Sequence, residues 1–305
     1  MIEVNNLSRR YGEFNAVDAV NFSIASGEVV GLLGHNGAGK TTIMKMLTGY
    51  LQPSGGTISI DGINVLEQPD EAQAQMGYLP ENLPIYPELT VIEYLAHACE
   101  LRGIDPAQAV PQAIARTTLE SKAMDAIHTL SRGFKQRVGV AQAILHEPKF
   151  LILDEPSNGL DPNQIQQMRQ LILDLAQHAT VILSTHIMQE VSAVCDRVLI
   201  LSSGRVVIDE QLDALQQRTS ILLRTAATAE GVQELVGDLV PVAAVDALGD
   251  GGYRVHADGD LEAAGAAVVA AMIAAGNDVY EMRHESRDLE QIFGEVSATE
   301  VGHAA

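Results

Sequence analysis

Residues 29–41 restrict what this chain of 305 residues can fold into more than any other segment. Val29-Val30-Gly31-Leu32-Leu33 is an unbroken apolar run, as expected of a parallel strand buried on both faces. It leads directly into Gly34-His35-Asn36-Gly37-Ala38-Gly39-Lys40-Thr41, which fits G-x-x-x-x-G-K-[ST]. The glycines permit a tight loop whose amides point at phosphate oxygens, and a helix beginning near Lys40 brings its positive dipole end to the same place. Lys40 would neutralise the terminal phosphates and Thr41 would place its hydroxyl on Mg²⁺. A glycine-rich turn alone need bind nothing, but with this strand before it and a helix after it the loop marks a nucleoside triphosphate site.

A second apolar strand, Phe150-Leu151-Ile152-Leu153, ends in Asp154-Glu155. Neighbouring residues of a strand point to opposite faces, so the two carboxylates can divide their work. Asp154 is expected to partner Mg²⁺, directly or through water, and Glu155 to polarise an attacking water. Further buried strands are predicted at Thr180–Ser184 and Arg197–Leu201, with helices at Lys40–Thr48, Val91–Leu101, Pro106–Thr118, Ser131–Ala143 and Asn163–Gln177. Strands alternating with helices imply a parallel α/β core. Strand-like runs at Ile2–Leu7, Ala19–Ile24 and Ile58–Ile60 add a flanking antiparallel sheet.

Charge divides the chain near residue 218. Residues 1–218 carry 15 basic and 25 acidic side chains, whereas residues 219–305 carry 4 and 15 and no lysine. The boundary is placed at about 219, after a polar connector over Asp209–Thr219 that is expected to be a short helix running into a linker. The second part reads as strand (Ile221–Ala226), helix (Glu230–Leu239), strand (Val242–Leu248), strand (Tyr253–Ala257), helix (Leu261–Ala275) and strand (Val279–His284), with Gly249-Asp250-Gly251-Gly252 as a hairpin turn. That order matches the split βαβ, ferredoxin-like sandwich. A last amphipathic helix is expected from Ser286, with Leu289, Ile292 and Phe293 on one face.

A net charge of −21 argues against a nucleic-acid partner, because neutralising phosphates takes a surplus of Lys and Arg. Cys99 and Cys195 are too few for a disulfide framework or a thiolate metal site. The start Met1-Ile2-Glu3-Val4 alternates without a basic stretch before an apolar run, so no secretory signal is expected. The uncharged stretch Ala263–Asn277, mostly Ala and Gly, is too short to span a bilayer.

Other segments complete an ordered set. Leu130-Ser131-Arg132-Gly133-Phe134-Lys135-Gln136-Arg137 precedes the carboxylate strand, Pro156-Ser157-Asn158-Gly159-Leu160-Asp161 follows it, and Ser184-Thr185-His186 closes the next strand. Together with the phosphate loop, this set resembles the nucleotide-binding subunits of ABC transporters over essentially all of residues 1–218. The resemblance implies a P-loop NTPase core of ABC type with a helical subdomain, followed here by the small α+β domain. It implies ATP and Mg²⁺ as cofactors, bound by the loop residues Gly34, His35, Asn36, Gly37, Ala38, Gly39, Lys40, Thr41 and Thr42. Tyr11 resembles the aromatic that stacks on adenine, and His186 the switch histidine that contacts γ-phosphate and holds Glu155 and its water. Ser131 and Gly133 resemble the element that reaches ATP bound by the opposite subunit, and Asp161 the residue linking the two sites.

Two segments depart from the family pattern. Glu81, in Gly77-Tyr78-Leu79-Pro80-Glu81-Asn82, stands where Gln is usual; it can ligate Mg²⁺ but, ionised, cannot donate a hydrogen bond to water. Arg132 and Phe134 replace the Gly and Gln of the common Leu-Ser-Gly-Gly-Gln string. The resemblance further implies a head-to-tail homodimer around two ATP molecules, closing on ATP binding, reopening after hydrolysis, and driving membrane-spanning permease subunits at the cytoplasmic face of the inner membrane. Asn82–Arg102 is the expected docking segment for a permease helix. The details of the motifs are most like those of bacterial export-type subunits, the gliding-motility-associated, copper-enzyme-maturation and multidrug groups. The competing classes are a soluble ABC ATPase acting on ribosomes or DNA, and a regulatory ATPase that senses a ligand through its C-terminal domain.

Overall fold

The computed structural model describes residues 1–305 except 216, 217, 238, 241, 258, 259, 287, 288, 290–292 and 295–305. The described residues form two compact units, one over Met1–Leu212 and one beginning at Asp213.

The first unit opens with β1 (Ile2–Tyr11), β2 (Phe14–Ile24), β3 (Val29–Gly34), α1 (Lys40–Leu47), β4 (Gly55–Ile60), β5 (Ile63–Asn64), α2 (Pro69–Ala74) and β6 (Met76–Leu79). A helical stretch follows, α3 (Val91–Arg102), α4 (Pro106–Arg116) and α5 (Arg132–Ile144). Then come β7 (Phe150–Asp154), α6 (Pro162–Ala176), β8 (Thr180–Ser184), α7 (Met188–Val194), β9 (Arg197–Ser202) and β10 (Arg205–Gln211). Two sheets result, an antiparallel one of order β2-β1-β4-β5 and a six-stranded one of order β10-β9-β3-β8-β7-β6. The second is parallel apart from β10. All residues of β3, β7 and β8 are buried, as their continuous apolar runs require. Ile2, Val4 and Ile58 from the first sheet share a core with Val30, Leu32 and Ile152 from the second and with Ile43 and Met44 of α1. Side by side, β3, β8 and β7 bring Gly34, Ser184 and Asp154 to one edge of the sheet, with Leu32 and Asp154 both level with Ser184. Ligands of open α/β sheets bind at such carboxyl ends.

Strand β6 escapes a sequence reading because it has only four residues, one of them Gly77. The glycine is required: a Cβ there would lie 2.2 Å from the Ala143 carbonyl oxygen of α5. Gly77→Ala is therefore expected to destabilise the protein by about 1–3 kcal/mol, as overpacking against backbone does. A denaturant titration would show this as a lowered midpoint at unchanged slope. Another correction concerns the connector: Asp209–Gln211 is the end of strand β10, antiparallel to β9, and only α8 (Leu212–Leu215) is helical.

The second unit runs β11 (Arg218–Thr225), α9 (Ala229–Val236), β12 (Val242–Gly249), β13 (Gly252–Ala257), α10 (Leu261–Ala274) and β14 (Val279–Ser286). Its antiparallel sheet has the order β12-β13-β11-β14, the arrangement of a split βαβ sandwich. Alternation explains the packing: Tyr253 and Val255 of β13 and Ile221 and Leu223 of β11 turn inward onto Val232, Val236, Val268 and Met272 of the helices. Between them, Arg254 joins Glu285 through Nε–Oε2 at 2.6 Å and Nη2–Oε1 at 2.9 Å. Of the helix expected after Ser286, Leu289 is buried, while Ile292 lies outside the described residues.

Candidate functional site

The loop between β3 and α1 is shaped by its glycines. Gly39 has φ +106°, and a Cβ there would lie 2.6 Å from the Ala16 carbonyl oxygen. The Ala38 amide donates to the His35 carbonyl at 3.0 Å and closes the turn. Helix α1 begins without a side-chain cap and has no acidic residue in its first turn, so its leading amides and dipole are left for an anion. Lys40 is buried, and its Nζ donates to the carbonyls of Gly34 at 2.6 Å and His35 at 3.3 Å. Burial lowers the Lys40 pKa, against the opposing charges of Glu155, Asp154 and Glu81.

Above the loop is a cleft of about 450 Å³. Its floor is His35, Asn36, Gly37, Gly39, Lys40, Thr41 and Thr42, and Glu81 and Glu155 form its acidic wall. Gly34 and Ala38 are buried beneath it. Tyr11 and Phe14 line its far side, cross-strand partners around the Gly12-Glu13 turn. Tyr11 is 48% exposed and carries the Arg9 guanidinium 4.6 Å from its ring centroid, so it is not a core tyrosine. Phe14 was not legible as a site residue; the available signal was an aromatic placed opposite Tyr11 across a two-residue turn. A larger cleft of about 730 Å³, bounded by Arg116, Glu147 and His178, has neither a phosphate loop nor paired carboxylates.

Asp154 ends β7 fully buried, and neither of its carboxylate oxygens has a hydrogen-bond partner. Burial raises its pKa, while the nearby hydroxyls of Ser184 and Thr41 favour the charged form. A buried carboxylate without partners is costly, and its surroundings offer hard oxygen ligands that fit Mg²⁺: Asp154, the Thr41 hydroxyl and Glu81. Among the described residues no group of three or more His, Cys, Asp or Glu is placed to hold a metal.

Glu155 has already left the strand, which corrects the reading of both carboxylates on one extended segment. Its φ of +51° lies in the left-handed region, rare for such a residue and a mark of local strain. The Glu155 amide donates to the Ser184 carbonyl at 2.9 Å, which holds the turn. Glu155 Oε2 lies 2.9 Å from Nδ1 of the half-exposed His186. Burial raises the Glu155 pKa, and His186 is the main opposing influence.

Ser131, Gly133 and Asp161 do not line this cleft. Ser131 caps α5, accepting from the Phe134 amide at 3.4 Å, and Asp161 caps α6, accepting from the Gln164 amide at 2.9 Å. Both are exposed. The two helix starts are packed together: a Cβ at Gly133 would lie 2.8 Å from Gln164 Oε1, and one at Gly159 2.6 Å from the Arg132 guanidinium. The structure thus gathers the site residues into two groups, a cleft and a separate exposed pair of helix N-termini.

Comparison with known proteins gives concordant results. The family described as ABC transporter matches residues 17–158. The chain is 38% identical over 222 residues to the Nod factor export ATP-binding protein I of Paraburkholderia xenovorans, covering 70% of this chain and 72% of that one. It is 31% identical over 296 residues to the uncharacterized ABC transporter ATP-binding protein YcbN of Bacillus subtilis, covering 96% and 95%. Among solved structures, a dimeric bacterial ABC transporter cassette superposes with a TM-score of 0.64 at 26% identity, over 70% of this chain and 99% of that one.

Proposed function

Because the chain belongs to the family of ABC transporter ATP-binding proteins, we propose that it is the ATP-hydrolysing subunit of an export-type transporter, with residues 1–218 as the ATPase and 219–305 as an accessory domain. The observation that carries this reading is that Lys40 and Glu155 line one cleft, with the buried Asp154 carboxylate acting on the Lys40 charge and His186 bonded to Glu155. On binding ATP, Lys40 exchanges its loop carbonyls for the terminal phosphates, with the loop amides and the start of α1 around them. Thr41 and Asp154 would hold Mg²⁺, which would supply charge neutralisation at the phosphates. Glu155 accepts a hydrogen bond from the attacking water, and His186 fixes its carboxylate. Tyr11, with Phe14 beside it, forms the adenine platform.

Ser131, Gly133 and Asp161 lie away from their own cleft, so they serve a nucleotide held by a second copy of the chain. Among the described residues no helix is long and apolar enough to cross a membrane. Attachment to the inner face of the membrane runs through permease subunits, as membership of the ABC transporter family supports. The docking segment Asn82–Arg102 presents the 55% exposed Tyr86, set edge-on to His97 and tilted against Tyr94 with ring centroids 5.6 and 6.3 Å away. The relative named for Nod factor export supports an outward direction of transport.

Measuring phosphate release from ATP by the purified chain, and identifying membrane proteins that co-purify with it, tests this function. No ATP turnover above background would contradict it. Glu81→Gln refines the metal site. If an amide serves as well as the carboxylate, turnover stays within about threefold of wild type, in line with the small effect of a uniform change in binding. Complete loss would assign the carboxylate its own task.

A further inference from the structure

Two buried polar side chains behind His186 have no part in the chemistry described so far. Thr185 and Glu190 are 0% and 1% exposed. Thr185 Oγ1 accepts from the Ile187 amide at 3.1 Å and donates to Glu190 Oε2 at 2.9 Å. This is a side-chain turn of the Ser/Thr type, and it holds the backbone on both sides of His186. Helix α7 starts without a side-chain cap on Ile187, so the Thr185–Glu190 bond is what joins the His186 turn to the helix by a side chain. The helix itself is firmly seated. A Cβ at Gly31 in β3 would lie 3.0 Å from Val191 Cγ1 and 3.1 Å from Cys195 Sγ, so α7 rests against the strand that feeds the phosphate loop.

Glu190 is an expensive way to make such a joint. Its Oε1 has no hydrogen-bond partner, and a buried carboxyl group so incompletely paired is unfavourable. A hydrophobic residue would pack at that position without the cost. What the carboxylate supplies instead is direction: it fixes the Thr185 hydroxyl, and with it the turn whose His186 Nδ1 meets Glu155 at 2.9 Å.

We propose that Glu190 is a positioning residue for ATP hydrolysis, acting through Thr185 to set the turn that presents His186 to Glu155. This rests on the roles given above to Glu155 and His186.

The test is steady-state ATP hydrolysis and ATP affinity of the full chain carrying Glu190→Ala, Glu190→Gln, Thr185→Val or Thr185→Ser, with Glu190→Ala repeated in a His186→Ala background. Glu190→Ala is expected to lower kcat by roughly 10- to 100-fold, the scale of misplacing a catalytic group by about 1 Å. ATP affinity should stay within about twofold, because the change touches no phosphate contact. Glu190→Gln and Thr185→Ser keep the acceptor and the hydroxyl and should turn over within about threefold of wild type. The double variant should be no slower than His186→Ala alone, since both changes strike one step. Wild-type turnover by Glu190→Ala, a Gln variant as slow as Ala, or effects that multiply in the double variant would each overturn the proposal. If Glu190→Ala does not fold, Thr185→Val decides in its place, and normal turnover there is equally contrary. Wild-type hydrolysis by Glu155→Gln would instead remove the underlying assignment, and the proposal with it.

Discussion

Glu155→Gln should reduce ATP turnover by roughly 100- to 10,000-fold, the contribution of a positioned general base, while leaving ATP binding intact. The substitution keeps size and shape and removes only the charge that orients water. It also relieves a carboxylate held in a buried site at a left-handed φ, so folding is not expected to suffer. The partner contact survives in altered form, because the amide can still bond to His186 Nδ1. Phosphate release under saturating ATP measures the effect. Turnover within a few-fold of wild type would transfer the base to another group; the other carboxylate lining the cleft is the exposed Glu81, while Asp154 is buried beside Thr41 and Ser184.

Lys40→Ala should weaken ATP binding by roughly 30- to 4,000-fold, the equivalent of the 2–5 kcal/mol lost when one partner of a desolvated charge pair is removed. The cost has two sources. The terminal phosphates lose their cation, and the acidic wall of Glu155 and Glu81, with the buried Asp154 charge close by, is left unopposed. Lys40 also holds the loop through Gly34 and His35, so part of the loss reflects a looser loop. Lys40→Arg, which keeps the charge but not the fit to a tight, buried position, should recover little. Equilibrium binding of a fluorescent ATP analogue reads both variants, and undiminished affinity in Lys40→Ala would refute the phosphate-loop assignment.

The cleft was legible where its chemistry is contiguous in sequence. Strand, loop, lysine and helix follow one another over residues 29–47, and each carries its own local signal. The backbone at Glu155 was not legible, because its left-handed turn depends on the Ser184 carbonyl of a neighbouring strand. Phe14 became a site residue only through its pairing with Tyr11, and β6 became a strand only through its pairing with β7. Helix α7 has seven residues and gains its place from contacts with Gly31, so its tie to His186 was equally hidden. In the second unit, alternation along β13 and β11 was a sufficient guide to the strands. The Arg254–Glu285 bridge, between residues 31 apart, needed the sheet register. Among the described residues of that unit, Asp and Glu such as Glu230, Asp246 and Asp278 are exposed around a small apolar core.

If ATP is held between two copies of this chain, each cleft is completed by Ser131, Gly133 and Asp161 of the other copy, none of which lines the cleft of its own chain. Sedimentation of the Glu155→Gln variant with and without ATP tests it most directly, since slow hydrolysis preserves the ATP-bound state. The expected result is a monomer without nucleotide and a dimer of twice the mass with ATP, reversed when Ser131 is also changed to a bulky residue such as Phe. A chain that stays monomeric at saturating ATP, or whose mass is the same with and without it, would show that no second copy completes the cleft.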